Sequence, residues 1–179
     1  PEGEGRAVKA SGGERMHFES VEIKNFKGIK DMEISFCPGI NLLIGDNGVG
    51  KTAILEALII SLGGFFSGIK GVTARGVFQT DVRFEKKSVG DASYFTEYFR
   101  PVVITGIVCN GEEKFTCTRI RNDETGESRT STNAKKWSVF VKQLVNDPKS
   151  ELPLFSYHST ARVTQFRRED FGKASQNKL

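Results

Sequence analysis

Eight consecutive residues carry the clearest chemistry in this chain: Gly45-Asp46-Asn47-Gly48-Val49-Gly50-Lys51-Thr52. Three glycines at this spacing let the backbone adopt positive φ, so that successive N–H groups point inward and surround an anion. A lysine at the end of such a loop supplies positive charge to the β- and γ-phosphates of a nucleotide, and the hydroxyl that follows binds Mg²⁺. The segment therefore predicts a phosphate-binding loop for a nucleoside triphosphate, and Mg-ATP is the expected ligand.

The residues on either side of this loop have the composition that a phosphate site requires. Residues 40–44 (INLLI) are almost all apolar, which is typical of a central strand covered on both faces. Residues 51–62 are apolar almost all round, which predicts a buried helix. Because a helix N-terminus carries a partial positive charge, this arrangement of strand, loop and helix would direct that charge at the phosphates.

Hydrophobic periodicity predicts the remaining elements. We expect strands at residues 17–24, 32–36 and 152–157, a loop at 25–31 and a helix at 134–145. Asn110-Gly111 is a strong turn signal, so residues 102–109 and 114–121 should form a hairpin. Residues 63–100 predict loops with one short helix. The expected fold class is α/β, with a mixed sheet, a buried helix after the glycine loop and an antiparallel β-subdomain.

Length and charge indicate one globular domain with a moderately basic surface. The chain has 179 residues, 37% hydrophobic and 27% charged, with a net charge of +4. This charge fits a nucleic-acid partner, and it equally fits an ordinary basic domain. We expect residues 1–15 to be a disordered leader, 16–171 the folded part and 172–179 a polar tail.

The cysteine pattern and the apolar runs exclude several other classes. The three cysteines, Cys37, Cys109 and Cys117, are odd in number and form no C-x-x-C pair. A disulfide scaffold and a zinc site are therefore not expected, and the default compartment is a reducing cytoplasm. The longest apolar stretch is too short to span a bilayer, so no membrane association is predicted.

Two motifs that would assign a nucleotide-binding family are not found after the glycine loop. The guanine-reading N-K-x-D element of small GTPases has no counterpart, because the one Asn-Lys pair is Asn177-Lys178. A Walker B motif, four apolar residues followed by Asp, is also not found. We therefore expect either that part of an ATPase is missing or that the chain binds ATP without hydrolysing it.

The residues before the glycine loop suggest a family. ESVEIKNFKGIKDMEISFCPGINLLIGDNGVGKTAILEAL resembles the N-terminal segment of the SMC/RecF class of ABC-type P-loop NTPases, which includes double-strand-break-repair ATPases and ATP-binding proteins of bacterial defence systems. Asn25-Phe26-Lys27 matches the loop of the family pattern, Gly39-Ile40-Asn41 matches the strand entry, and Asn47 matches a position inside the P-loop. The resemblance covers residues 18–62.

This resemblance implies roles for individual residues. ATP would contact a set of backbone and side-chain groups contributed by Lys27, Asn47, Gly48, Val49, Gly50, Lys51, Thr52 and Ala53. Lys51 and Gln165 would serve catalysis, and Thr52 and Gln165 would bind Mg²⁺; Gln79 is a weaker candidate for the same glutamine. Ordinary solvated side chains remain an alternative for Lys27 and for both glutamines, and His158 is expected to be packed or solvated rather than functional.

The resemblance also implies partners. Relatives hold ATP between two nucleotide-binding domains, so we expect a homodimer or a C-terminal ATPase half that carries the remaining motifs. DNA and an effector nuclease are further expected partners, which places the chain in DNA repair or phage defence. Ser11-Gly12-Gly13-Glu14 spells the core of the ABC signature motif, but it precedes a strand rather than a helix and is read as a coincidence.

A non-catalytic function remains open as an alternative. The chain could be a nucleotide-responsive module that binds nucleic acid through basic residues, with phosphate contacts from Arg119, Arg121, Arg167 and Arg168. The same arginines could equally form a solvated hairpin and loop surface. A small-molecule kinase fits the sequence less well, because a lid of arginines and a substrate-binding acid are not evident.

Overall fold

A computed structural model describes residues 16–89, 93–122, 131–150 and 152–158. In chain order the elements are β1 (His17–Phe26), β2 (Ile29–Ser35), α1 (Lys51–Ser61), α2 (Gly63–Phe66), a short 3₁₀ helix (Gln79–Asp81), β3 (Phe84–Val89), β4 (Ser93–Tyr98), β5 (Val102–Asn110), β6 (Glu113–Arg121), β7 (Ser131–Asn133) and α3 (Lys135–Asn146).

Five of the strands form one sheet, in the order β2-β1-β5-β6-β7, and every described pair in it is antiparallel. β1 lies between β2 and β5, and its buried residues Val21, Ile23 and Phe26 alternate or nearly alternate along the strand. This period of two turns one face of the sheet toward the helices. β3 and β4 form a separate two-stranded ribbon.

Two hydrophobic clusters hold the helices against the sheet. In the first, Ile54, Ala57 and Ile60 of α1 pack with the buried residues of β1 and β5. In the second, Trp137 of α3 packs with Phe65 of α2 and with β6. Because α1 belongs to the first cluster over most of its length, the end of the glycine loop is anchored to the centre of the sheet.

Gly106 on β5 lets α1 lie close to the sheet. A Cβ built on this glycine would stand 2.4 Å from the Ser61 Oγ and 2.6 Å from the Ser61 Cβ. Both distances are shorter than van der Waals contact, so the helix could not keep its position above a larger residue.

The fold class and several elements agree with the sequence predictions. The α/β class, the helix after the loop, the β5–β6 hairpin and the C-terminal helix are confirmed. The hairpin turn lies one residue later than predicted, because Asn110 pairs with Glu113 and the turn residues are Gly111 and Glu112. Residues 1–15 and 172–179 lie outside the described part of the chain.

Two predicted strands are wrong. Residues 40–44 and 152–157 contain no strand. Several of their apolar side chains are exposed, Ile40 to 98% and Leu154 to 93%, whereas Leu43 and Phe155 are partly buried against the core clusters. A strand buried on both faces requires neighbouring strands and covering helices, and none of the described strands pairs with either segment. The parallel part of the predicted mixed sheet is consequently not among the described strand pairs.

Two further differences concern turns and loops. The predicted loop at 25–31 is a two-residue turn, since Phe26 pairs directly with Ile29. The region from 63 to 100, predicted as loops with one short helix, also contains the β3–β4 ribbon. Its strands are exposed on both faces, so they lack the alternation of apolar and polar residues by which strands are found in sequence.

The thiols of the three cysteines are free; Cys37 is exposed, whereas Cys109 and Cys117 are buried. Burial raises the pKa of the Cys109 and Cys117 thiols. Among the described residues, no helix is long and apolar enough to cross a membrane.

Gly106→Ala should reduce the free energy of unfolding by about 1–3 kcal/mol, because its methyl group would overlap Ser61 and force α1 away from β5. Gly28→Ala is the matched control, since a Cβ at Gly28 meets nothing within 4 Å; its effect should stay within about 0.5 kcal/mol. Urea unfolding of the two variants measures the difference. Equal stability of both variants would show that the close approach of α1 to β5 is not a constraint.

Candidate functional site

The glycine loop has the backbone conformation that an anion site requires. Gly45, Gly48 and Gly50 have φ values of 155°, 92° and 101°. Gly48 and Gly50 lie well inside the left-handed region, which costs a residue with a Cβ about 1–2 kcal/mol. The prediction that these glycines adopt positive φ is confirmed.

Helix α1 begins at the end of this loop with its backbone donors available. The first intrahelical bond joins the Ile54 N–H to the Gly50 carbonyl, at 2.9 Å. The N–H groups of Lys51, Thr52 and Ala53 therefore have no intrahelical acceptor. Gly50 is the N-cap residue and has no side chain to cap them, and the first turn contains no acidic residue. Three donors and the positive end of the helix dipole thus remain for an anionic ligand.

Lys51 lies over the loop that precedes it. Its Nζ donates hydrogen bonds of 2.6 Å to the carbonyl oxygens of Gly45 and Asp46. Both acceptors are consecutive residues at the start of the loop, so the ammonium group lies against the loop backbone. The contact of Lys51 with phosphate oxygens stays a prediction.

Packing beneath the loop fixes its position. A Cβ on Gly50 would lie 3.5 Å from the Ile29 side chain, so the last loop residue is in contact distance of β2. Ala53 and Ile54 are buried in the first core cluster, whereas Thr52 is exposed. The exposed hydroxyl and the buried neighbours place Thr52 on the side of the helix that a ligand can reach.

The Asn41 side chain closes a turn with Cys37, at the start of residues 40–44. Its side-chain oxygen accepts a hydrogen bond from the Cys37 N–H at 2.9 Å, and its amide nitrogen donates to the Cys37 carbonyl at 2.8 Å. The Gly39-Ile40-Asn41 match therefore corresponds to a local turn, which the sequence pattern alone did not explain.

Lys27 occupies the turn between β1 and β2, beside α1. Its φ is 51°, an unusual value for a lysine. Its Nζ lies 2.5 Å from Glu56 Oε2 and 3.7 Å from Asp81 Oδ1. The Lys27 side chain is 32% exposed, so the alternative of a fully solvated loop lysine does not describe it.

Arg75 joins the same group of charges, which the sequence did not predict. Its Nη2 lies 2.8 Å from Glu56 Oε2 and 3.4 Å from Asp81 Oδ1. Asp81 is buried and also accepts a hydrogen bond from the Phe78 N–H at 2.9 Å. We call these four residues the charge cluster: Lys27, Glu56, Arg75 and Asp81. The spacing of its members, from residue 27 to residue 81, explains why no local motif revealed it.

Two arginines that were considered as nucleic-acid contacts are buried instead. Arg119 and Arg121 are 7% and 5% exposed. The Arg119 guanidinium donates to the Arg75 carbonyl at 3.1 Å, and Arg121 donates to the Val77 carbonyl at 2.8 Å. Burial lowers the pKa of Arg119, although a guanidinium keeps its charge in proteins. Both the solvated-surface and the phosphate-contact interpretations of these two residues are wrong, since they attach the segment at 75–77 to β6.

The other predicted residues are placed as follows. Gln165, Arg167, Arg168 and Ser11-Gly12-Gly13-Glu14 lie outside the described residues. The Gln79 side-chain oxygen accepts hydrogen bonds from Arg100 at 3.2 Å and from Arg121 at 3.5 Å. His158 is exposed and contacts Ser156 at 2.9 Å.

Comparison with known proteins gives one family and several relatives. The model of the AAA domain family matches residues 20–179. A DNA replication and repair protein RecF from Listeria welshimeri is 40% identical over 45 residues, which cover 25% of this chain and 12% of the relative. The RecF of Azobacteroides pseudotrichonymphae is 56% identical over 43 residues, or 24% and 12% of the two chains. A DNA double-strand break repair Rad50 ATPase from Archaeoglobus fulgidus is 44% identical over 57 residues, or 32% and 6%.

These matches extend over a small part of the relatives. The chain spans about an eighth of the RecF proteins and less of the Rad50 ATPase. The family match, in contrast, extends over residues 20–179 and so covers most of the chain.

Proposed function

We propose that the chain, which belongs to the AAA domain family and resembles the N-terminal segment of SMC/RecF-like ABC-type P-loop ATPases, binds Mg-ATP through residues 45–52. The observation that carries this proposal is the start of α1. Left-handed Gly48 and Gly50 deliver the chain to a helix whose first three N–H groups have no intrahelical acceptor and no capping side chain. A triphosphate supplies the acceptors and the negative charge that this end of the helix lacks.

Each residue of the loop has a distinct part in this proposal. The Lys51 ammonium group would leave the carbonyl oxygens of Gly45 and Asp46. It would then donate hydrogen bonds to the β- and γ-phosphates of the nucleotide. Asn47, Gly48, Val49 and Gly50 contribute the backbone that surrounds the phosphates, and Ala53 contributes its N–H from a buried anchor.

Magnesium fits the same place. The Thr52 hydroxyl is exposed at the first turn of α1 and is the protein oxygen that would hold Mg²⁺, with Gln165 as a second proposed ligand and a catalytic residue. Bound Mg²⁺ would neutralise charge on the phosphate oxygens. The described residues contain no group of three His, Cys, Asp or Glu that could hold a metal ion, so the phosphates themselves would supply further ligands.

We propose that hydrolysis needs a second ATPase half, from a longer chain or from a partner. Ile40, Leu42 and Ile44 are 98%, 78% and 85% exposed, directly before the glycine loop. Monomeric proteins rarely leave such apolar runs uncovered, and an unpaired extended segment offers backbone donors and acceptors for a further strand. A further strand paired with this segment would cover the exposed run directly before the glycine loop.

The proposed biology follows the relatives' names. RecF is named a DNA replication and repair protein and Rad50 a DNA double-strand break repair ATPase. We propose that this chain likewise forms part of an ATPase whose ATP-driven dimerisation acts on DNA or on an effector such as a nuclease. The non-hydrolysing nucleic-acid-binding alternative has less support, because Arg119 and Arg121 are engaged with backbone carbonyls.

Lys51→Ala should weaken Mg-ATP binding by roughly tenfold to a hundredfold, the equivalent of one hydrogen bond to a charged group. Lys142→Ala, which removes an exposed lysine from α3, is the matched control and should leave the dissociation constant unchanged. Titration with a fluorescent ATP analogue measures both constants. An unchanged constant for Lys51→Ala would contradict binding through the loop.

Residues 1–179 alone should bind Mg-ATP but release little inorganic phosphate, because the proposed second half is required for hydrolysis. Phosphate release at saturating Mg-ATP, with the oligomeric state checked by light scattering, measures this. Robust turnover by the monomeric chain that disappears in Lys51→Ala would be incompatible with the need for a second half.

A further inference from the structure

The charge cluster connects Lys27 to the helix that carries the phosphate site. Thr52 and Glu56 are four residues apart on α1, so they lie on the same face, one turn from each other. The Lys27 ammonium contacts the Glu56 carboxylate at 2.5 Å. Glu56 therefore brings the Lys27 ammonium to the face of α1 that carries Thr52, one helical turn further along the helix.

Hydrogen bonds hold the backbone around Lys27. The Lys27 N–H donates to the Asp81 carbonyl at 2.7 Å, and the neighbouring Asn25 carbonyl accepts from the Arg83 N–H at 2.9 Å. The φ of 51° puts a lysine where glycine or asparagine would be less strained. Strain of this kind is concentrated at functional sites, and here it accompanies a lysine whose ammonium group contacts α1 at Glu56.

Because Arg75 contacts the same carboxylates as Lys27, moving Lys27 out of the charge cluster costs little free energy. Lys27 and Arg75 bind the same oxygen, Oε2 of Glu56. Both also approach the same Asp81 oxygen, Arg75 at 3.4 Å and Lys27 at 3.7 Å. If Lys27 moved away, Arg75 would still be paired with both carboxylates, and no buried charge would be left without a counter-ion.

We propose that Glu56 is a positioning residue that binds the Lys27 ammonium when no nucleotide is present. When a nucleotide binds, Lys27 leaves Glu56 and contacts a phosphate group. Arg75 then neutralises the Glu56 carboxylate. The exchange rests on the proposed function, because it requires a triphosphate at the glycine loop. It adds two residues, Glu56 and Arg75, which set the strength of nucleotide binding without touching the nucleotide.

Because Glu56 and Arg75 carry opposite charges, removing them should have opposite effects on Mg-ATP binding. Removing the Glu56 charge frees Lys27 for the phosphates, so Mg-ATP binding should tighten. Removing Arg75 leaves Lys27 as the one cation of the charge cluster for two carboxylates, so Lys27 should be retained and binding should weaken. A simple change of net charge near the phosphates would act in the same directions, and a second variant at Lys27 separates the two explanations.

The test is a double-mutant cycle on the dissociation constant of a fluorescent ATP analogue. Glu56→Gln, which keeps the shape of the side chain, should tighten binding about fivefold, the equivalent of about 1 kcal/mol. In a Lys27→Met background the same change should alter binding less than twofold. Arg75→Ala should weaken binding about fivefold in the presence of Lys27 and less than twofold in its absence. Glu33→Gln, on the exposed edge of β2, is the control for charge alone.

The outcomes separate the proposals. Equal effects of Glu56→Gln with and without Lys27, or no tightening with Lys27 present, would overturn the positioning role. Unfolding midpoints of all variants must be compared, and a loss of binding that follows loss of folding in Glu56→Gln would likewise assign Glu56 to the fold. If Lys51→Ala also leaves binding unchanged, the phosphate site itself is refuted; if only the Glu56 effect is missing, the site stands and the exchange does not.

Discussion

The left-handed conformation of Gly48 and Gly50 is the constraint on which the site depends. It lets the chain turn sharply into α1 without a capping side chain, and so leaves the helix N-terminus open to an anion. A serine or aspartate at the N-cap would stabilise the helix by itself but would occupy the same N–H groups. The helix therefore has no side-chain cap at its N-terminus. It is stabilised instead by four residues that are buried against the sheet: Ala53, Ile54, Ala57 and Ile60.

The same anchoring brings the β1–β2 turn to the site. Because α1 lies across β1 and β5, the turn at Lys27 meets the helix one turn beyond Thr52, and the buried arginines of β6 hold the segment that carries Arg75. Charges from three parts of the chain, the β1–β2 turn, α1 and residues 75–81, are thus collected beside α1. A cluster with equal numbers of cations and carboxylates can release one cation toward a phosphate and remain paired, which a single ion pair cannot do.

The sequence predicted the parts of this structure that are determined locally. The glycine spacing, the helix after it, the β5–β6 strands and the helix with Trp137 follow from turn chemistry and periodicity. Residues 40–44 and 152–157 were not predictable in the same way, because an apolar run becomes a buried strand only beside neighbouring strands, and the described sheet offers none. Arg119 and Arg121 were misjudged because burial of a guanidinium depends on carbonyls more than forty residues away. The contact of Lys27 with Glu56 is likewise tertiary.

The most direct test of the account is a ¹H–¹⁵N correlation spectrum of the chain titrated with Mg-ATP, with adenosine as the control that lacks phosphates. The account predicts that the amide resonances of Gly48, Gly50, Lys51 and Thr52 shift most, that they saturate together, and that adenosine leaves them in place. Saturable shifts confined to other parts of the chain, with these four amides unchanged, would contradict the claim that the start of α1 is where the nucleotide binds.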